Sequence, residues 1–370
     1  MRPTLVALKE NIPHGKYAIK RFKIGQQTAK REHWGSILEE GPLASQCRKL
    51  YNNFTPSLAV NQIARIAQNA RIYSMQIPPF TKSQPLSQEN ASEAVAQGCW
   101  LRSSKGQKEG GLRTFPVGRK IGFTNKNIWA QYNVDAPNWG YMYNQTILGI
   151  PTDRTGQSRK SFRMKRTLEP KIEPEIVFGI GQTPTASMND EELLSCVSWV
   201  CHGFEIVESI FPDWKFNAVD TTIAGGLHRV LLLDNHNMRS VSDIKSHADF
   251  LTQLQNFEID LFCNGKLVDQ GKGSNVLGSP IKALKHLVEL LNDQTLHPQI
   301  MPGEIITTGT LTKALPINDG DVWHTHFRGI ELGGYRVQFE LTDPTIHASQ
   351  KYLDGRNEVL RYIQKANASV

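Results

Sequence analysis

Hydrophobic positions along the chain switch between a helical and a strand-like rhythm. Ala59, Ile63, Ile66, Ala67 and Ala70 lie at helical spacing, with Pro56 before them and Pro78-Pro79 after, which predicts a helix from about Ser57. A second helix is expected from Ser87 toward Trp100. Residues 103–113 are Gly/Lys-rich and read as a surface loop, 115–124 as a strand, and 126–150, rich in Asn, Trp, Tyr and Pro, as irregular. Residues 171–178 are apolar and β-branched, which predicts a strand. Leu193, Leu194, Val197 and Val200 share one face of a helix predicted over 190–201, and strands follow at 203–209 and 230–233. Strands at 257–263 and 266–268 flank Asn264-Gly265, a two-residue hairpin signal. Ile281, Leu284, Leu287, Val288 and Leu291 define a helix introduced by Gly278-Ser279-Pro280. The chain is then strand-like to about Leu341, and 346–365 reads as a closing amphipathic helix. Many strands, short turns and few helices predict an α+β fold, with a β-rich rolled or closed mixed sheet and flanking helices.

Composition narrows the function classes. The chain has 370 residues, 39% hydrophobic and 21% charged, enough for a sizeable core. No apolar run approaches the ~20 residues of a membrane helix, so no membrane association is expected. Residues 1–31 carry eight Lys/Arg against Glu10 alone, which accounts for the whole net charge of +7. The body is therefore neutral, and no nucleic-acid partner is expected. The basic N-terminus lacks the apolar core of a secretory signal. It is compatible with a plain tail on a cytoplasmic protein or with a mitochondrial presequence. The five cysteines form no Cys-x-x-Cys pair and read as reduced and mostly buried.

The stretch Lys171-Ile-Glu-Pro-Glu-Ile-Val-Phe178 carries the first chemical signal. On a strand Glu173 and Glu175 project to one face and Pro174 to the other. Two carboxylates so close repel unless one is protonated or a hard divalent ion, Mg²⁺ or Mn²⁺, sits between them. The alternative is two solvated glutamates on a strand edge, where proline is tolerated.

Several stretches match one pattern in chain order: Gly118-Arg-Lys-Ile-Gly-Phe-Thr124, Val134-Asp-Ala-Pro-Asn-Trp-Gly140, the Glu-Pro-Glu strand, Phe204-Glu-Ile-Val207, Asp213-Trp-Lys215 with Val219-Asp-Thr221, Val276-Leu-Gly-Ser-Pro280, and Thr308-Gly-Thr-Leu-Thr312 with Asp319-Gly-Asp321. Together they resemble the fumarylacetoacetate hydrolase superfamily, in its 2-oxopent-4-enoate hydratase/4-oxalocrotonate decarboxylase branch. The resemblance covers roughly residues 57–341. It implies an N-terminal extension over 1–55, a catalytic domain over 56–345 and a C-terminal helix or tail over 346–370.

The resemblance further implies a divalent ion (Mg²⁺ or Mn²⁺) held by Glu173, Glu175 and Glu205, with half the coordination sphere open to a 2-oxo acid. Lys120 corresponds to the family's active-site lysine, and burial beside a metal is expected to lower its pKa. Thr310 matches a substrate-contacting position. Trp214 is expected to pack rather than react, and His324 and His326 to be ordinary strand residues. A homodimer or larger homo-oligomer is implied. The chain departs from the pattern at Asn138, where the hydratases usually carry an acid, and in the loop Ile223-Ala-Gly-Gly-Leu-His-Arg229. An asparagine contacts substrate but cannot relay protons near neutrality. His228 is the titratable group available for that role, with a strand-capping structural role as the alternative. The implied function is a metal-dependent lyase working through a metal-stabilised enolate, first a hydratase of a 2-hydroxydienoate. A decarboxylase of a 4-oxalocrotonate-like acid comes second and a carbon–carbon hydrolase of an acylpyruvate third. A catalytically silent partner subunit is the non-enzyme alternative.

Overall fold

The computed structural model describes residues 40–105, 114–132, 134–150, 161–234, 237–342 and 350–368. The basic segment 1–31, most of the 103–113 loop and the start of the closing helix lie outside the described residues. The larger sheet contains β1 (Pro116–Gly122), β2 (Asn138–Tyr143), β3 (Ile147–Ile150), β5 (Lys171–Ile180), β6 (Val197–Val207), β7 (His228–Asp234) and β11 (Ile305–Thr310). Their order is β2-β1-β11-β5-β6-β7-β3, with β8 (Arg239–Ser240) added to β6 and β12 (Leu315–Pro316) to β5. β1–β11 and β3–β7 pair in parallel and the other neighbours along that order antiparallel, so the sheet is mixed.

Side-chain alternation shows how this sheet curls. Val117, Met142, Ile147, Val177, Cys201, Leu231 and Ile305, one from each of its seven main strands, meet in a single buried cluster. Such a meeting requires the sheet to roll around its own inner face. Glu173 and Glu175 share the inward parity of Val177, and Glu205 that of Cys201. The carboxylates therefore lie along the inner face whose apolar part closes the roll. The outer face of β5, β6 and β7 packs through Ile172, Phe204, Ile206 and Leu232 onto a second sheet, β10-β9-β13-β14-β4. Its strands are β4 (Phe162–Lys165), β9 (Glu258–Cys263), β10 (Lys266–Lys272), β13 (Val322–Arg328) and β14 (Arg336–Thr342). Helices Leu58–Ile72, Gln88–Lys105, His247–Asn256 and Pro280–Asp293 flank the sheets.

Several expected elements form. Asn264 and Gly265 both take positive φ, 52° and 78°, as a two-residue turn between β9 and β10 requires. The closing helix Gln350–Ala368 packs on Leu58–Ile72 of its own chain, where Glu358 bonds Arg65 at 2.7 Å and Asn69 at 2.8 Å. Two local readings change. The helix expected over 190–201 stops at Ser195, and Val197–Val207 joins the sheet. Residues 126–150, read as irregular, contain β2 and β3; β2 is buried at all six positions, so no alternation marks it. Within the segment read as an extension, Pro42–Tyr51 forms a helix that buries Leu43, Ala44, Cys47 and Tyr51. Cys47, Cys99, Cys196 and Cys201 are buried free thiols, and Cys263 is half-buried. Among the described residues no helix is long and apolar enough to cross a membrane.

One buried ion pair fixes the strands that carry the site. Arg119, on β1, is fully buried and lies 3.0 Å from Glu304, which immediately precedes β11. Arg119 also donates to Pro298 O at 2.7 Å, and Glu304 accepts from Met301 N at 2.6 Å. Burial still pushes Glu304 up to about 7, against the pull of Arg119. Removing one partner strands the other charge. Glu304→Leu should therefore lose roughly 3–5 kcal/mol in denaturant unfolding, whereas Arg119→Met/Glu304→Leu together should recover most of it. Additive losses would show that the pair does not act as a unit.

Candidate functional site

Strand register assembles the carboxylates. β5 and β6 pair antiparallel with Glu173 directly opposite Glu205, while Glu175 lies opposite Gly203 on one side and Thr310 on the other. Oxygens of Glu173, Glu175 and Glu205 lie within 4.8 Å of one another. Pro174 sits in a central strand rather than at an edge. Its carbonyl accepts from Leu311 N at 2.9 Å, so its ring nitrogen faces the same side, just past the end of β11 at Thr310. No ladder bond is lost there.

Each carboxylate is held differently. Glu175 Oε2 accepts from Gly309 N at 2.7 Å, and its Oε1, though buried, has no hydrogen-bond partner. Gly309 makes this possible with φ of 97°, and a β-carbon there would collide with Thr124. Glu205 Oε1 lies 2.8 Å from His228 Nδ1, and its Oε2 lies 3.3 Å from Lys120 Nζ. Lys120 also donates to Gly226 O at 3.0 Å. Gly226, at φ 67°, leaves room for the Lys120 stem, which a β-carbon would meet at 2.7 Å.

These contacts set the protonation of the cluster. Burial raises Glu175 well above the usual carboxylate range, and the neighbouring Glu205 and Glu173 charges add to it. Burial pushes Glu173 up to about 7 despite Lys120. Burial also works to raise Glu205, but Lys120 and the His228 hydrogen bond outweigh it and hold Glu205 below its ordinary value. Without a metal, the Lys120 pKa moves in the opposite direction from the one expected beside an ion. Burial opposes its charge, yet Glu205, Glu173 and Glu175 together raise it, so Lys120 is an ammonium at neutral pH. Ionising all three glutamates would leave more negative charge than Lys120 balances. With the unpartnered Glu175 oxygen, the all-oxygen donor set fits a hard divalent cation.

Glu173 and Glu175 line a pocket of about 500 Å³, counting its open mouth, with Lys120, Asn138 and Thr310 on its wall, while the fully buried Glu205 does not reach the lining. Asn138 Nδ2 donates to Thr221 Oγ1 at 2.9 Å, and its Oδ1 has no partner. A β-carbon on Gly122 would lie 2.5 Å from that oxygen and 3.5 Å from Lys120 Nζ, so glycine keeps the space between them open. Thr310 Oγ1 donates to Thr312 O at 3.0 Å. His228 does not line the pocket. Its Nδ1 is taken by Glu205 and its Nε2 by Thr146 Oγ1 at 2.8 Å, and burial lowers its pKa. This is the geometry of a residue that positions Glu205, not of a proton relay to substrate.

Sequence reasoning missed Thr146, Gly226, Gly309 and an aromatic wall. Tyr132 stacks on Phe216 with ring centres 5.7 Å apart, and Lys171 Nζ lies 3.9 Å above Trp214. Tyr132, Trp214 and Phe216 all face the pocket. The aromatic richness of 126–150 was the signal for Tyr132. His324, by contrast, stacks on Phe262 at 4.4 Å, and His326 is exposed on the second sheet, as ordinary strand residues.

The raised carboxylates make stability pH-dependent. A glutamate whose folded pKa is raised stabilises the fold below its unfolded value near 4.5, and that contribution is lost as pH rises through about 7. Glu205 has the opposite sign, but its window lies at more acid pH. In chelator, the protein should therefore melt lower at pH 8 than at pH 5.5, Glu173 alone contributing on the order of 2 kcal/mol over that interval. Glu175→Gln should raise the melting temperature at pH 8 and flatten the profile. A variant less stable than the parent at that pH would refute the repulsion.

Three comparisons with known proteins agree with this architecture. Residues 121–338 match the fumarylacetoacetate (FAA) hydrolase C-terminal family model. A 2-keto-4-pentenoate hydratase of Paraburkholderia xenovorans (strain LB400) is 27% identical over 252 residues, 68% of this chain and 84% of that one. A 4-oxalocrotonate decarboxylase of Pseudomonas sp. (strain CF600) is 26% identical over 216 residues, 58% of this chain and 74% of that one. Among solved structures, 4-oxalocrotonate decarboxylase from Pseudomonas putida G7, complexed with magnesium and adipate, shares the fold at a TM-score of 0.63 and 20% identity. That match covers 78% of this chain and 99% of the decarboxylase. With more than half of its length matched by the family model, the chain belongs to the fumarylacetoacetate hydrolase C-terminal family.

Proposed function

We propose that this protein is a divalent-metal-dependent lyase acting on a 2-oxo acid, and specifically a hydratase of a 2-hydroxydienoate. The observation that carries the reading is the convergence of Glu173, Glu175 and Glu205, the first two on the wall of a pocket, with one buried carboxylate oxygen unpartnered and a charged lysine beside them. A Mg²⁺ or Mn²⁺ ion bound to these oxygens would act as a Lewis acid toward a 2-oxo carbonyl. The sequence relatives are hydratases and decarboxylases, which supports the choice of reaction class.

The chain's own residues divide the remaining work. Lys120 keeps its charge at the pocket wall, where it can hold the substrate carboxylate and offset charge that builds on the 2-oxygen. With the carboxylates committed to a cation, Lys120 and Tyr132 are the titratable side chains left on the described pocket lining. Burial pushes Tyr132 up to about 12, so Lys120 is the better placed to hand a proton to carbon. His228 holds Glu205 in place from behind, and Asn138 Oδ1 offers an acceptor for a substrate hydroxyl or a water. Tyr132, Trp214 and Phe216 cover the rest of the pocket and limit access of bulk water.

Asn138 also supports decarboxylation as a second reading, since loss of CO₂ needs fewer proton relays than hydration and this position carries no acid. A screen of 2-hydroxydienoates and 4-oxalocrotonate-like acids with Mg²⁺, following dienol absorbance and trapping CO₂, separates the two. Loss of absorbance without CO₂ is expected, and CO₂ release would move the assignment to decarboxylase. Lys120→Met should reduce turnover by about 10²-fold or more while keeping the Mn²⁺-induced rise in melting temperature. Glu175→Gln should lose both. Absence of turnover on every 2-oxo acid by a protein that still binds Mn²⁺ would reject the proposed substrate class.

A further inference from the structure

A second pocket lies behind the candidate metal centre, between helices Leu58–Ile72 and Gln88–Lys105, strand β2 and the loop before His228. It is a half-open cleft of about 430 Å³, open solvent at its mouth included. Its wall is mostly small and apolar, with Ala64, Ala67, Ala94 and Ile223, yet two guanidinium groups, Arg71 and Arg102, line the same space. Arg102 lies 4.5 Å over the Tyr143 ring and forms no ion pair among the described residues. Arg71 donates to His228 O, which ties it to the pocket wall. The acid acting on Arg71 is Glu208, which is already paired with Arg229 at 3.4 Å. Arg71 and Arg229 thus share one carboxylate, and Arg102 adds a third positive charge beside Arg71. Burial first, and the like charge of Arg102 second, pull the Arg71 guanidinium down to about 9, as expected of a cation without its counter-ion.

Guanidinium forks in a confined apolar space match the planar carboxylate and the phosphate group, each of which accepts two parallel N–H bonds. We propose that Arg71 and Arg102 form a binding site for a small carboxylate or phosphate anion, separate from the pocket that holds the glutamates. The two pockets are back to back. Gly225 lines the arginine pocket and Gly226 the glutamate pocket, and the carbonyl that anchors Arg71 belongs to the residue whose imidazole holds Glu205. The anion would be small, because alanines and Ile223 leave little depth and Gln68 and Tyr143 supply the other polar edges.

The test uses the full chain freed of metal with chelator, so that neither anion acts through a bound ion. Melting is followed against sodium acetate and inorganic phosphate, each at ionic strength matched with chloride. Acetate or phosphate at millimolar concentration should raise the melting temperature by several degrees where chloride does not. The stronger of the two identifies the carboxylate or the phosphate as the preferred group. Arg102→Gln should melt higher than the parent without anion, because a like charge is removed, and should lose the anion response. Arg102→Lys should retain only part of it, since the ammonium lacks the fork. Glu175→Gln should keep the full response, which places the effect outside the glutamate pocket. No rise with either anion up to tens of millimolar, or a rise of equal size in Arg102→Gln, overturns the proposal.

Discussion

The antiparallel register of β5 and β6 is the constraint on which the site depends. It sets Glu173 directly against Glu205 and brings Glu175 to the Thr310 bulge of β11. A slip of β5 by one residue would turn Glu173 and Glu175 to the outer face, away from Glu205, and put Ile172 and Pro174 inside. The apolar cluster built from Val117, Met142, Ile147, Val177, Cys201, Leu231 and Ile305 prevents that slip, because it too requires the inward parity. The core of the roll and the chemistry of its wall are therefore specified by the same alternation.

The cost of bringing carboxylates together is distributed over a supporting layer. Lys120 balances Glu205, Gly309 gives a backbone N–H to Glu175, and His228, itself fixed by Thr146, holds the other Glu205 oxygen. Glycine is needed at 226 and 309, where positive φ and close contacts exclude a side chain. The compensation is incomplete. Glu175 Oε1 is left without a partner and Glu173 and Glu175 keep raised pKa values, which is strain of the kind that functional sites retain.

Charge is balanced elsewhere in contrasting ways. Arg119 and Glu304 form a buried pair with every guanidinium nitrogen but Nε engaged, and they tie β1 to the start of β11. Arg71 and Arg102 face a pocket with no carboxylate of their own. The first arrangement is closed and structural. The second is open, as the carboxylate cluster is open, and the loop from Gly225 to His228 separates one from the other.

The sequence alone determined the elements and residues whose signal is local. Glu-Pro-Glu on an apolar strand, the Asn-Gly turn, the helices at 58–72 and 280–293 and the ordered series of motifs were legible without coordinates. Strand β2 was not, because burial on both faces erases the alternation that marks a strand. Nor was the switch from helix to strand at Val197, where pairing with β5 overrides a helical spacing of apolar residues. The direction of the Lys120 pKa and the position of His228 behind Glu205 were decided by tertiary structure. Both depend on which groups stand opposite across the roll, 23 residues apart for His228 and Glu205 and 53 to 85 for Lys120 and the glutamates. Local spacing fixes which side of a strand a residue faces, and only closure of the sheet decides what it faces.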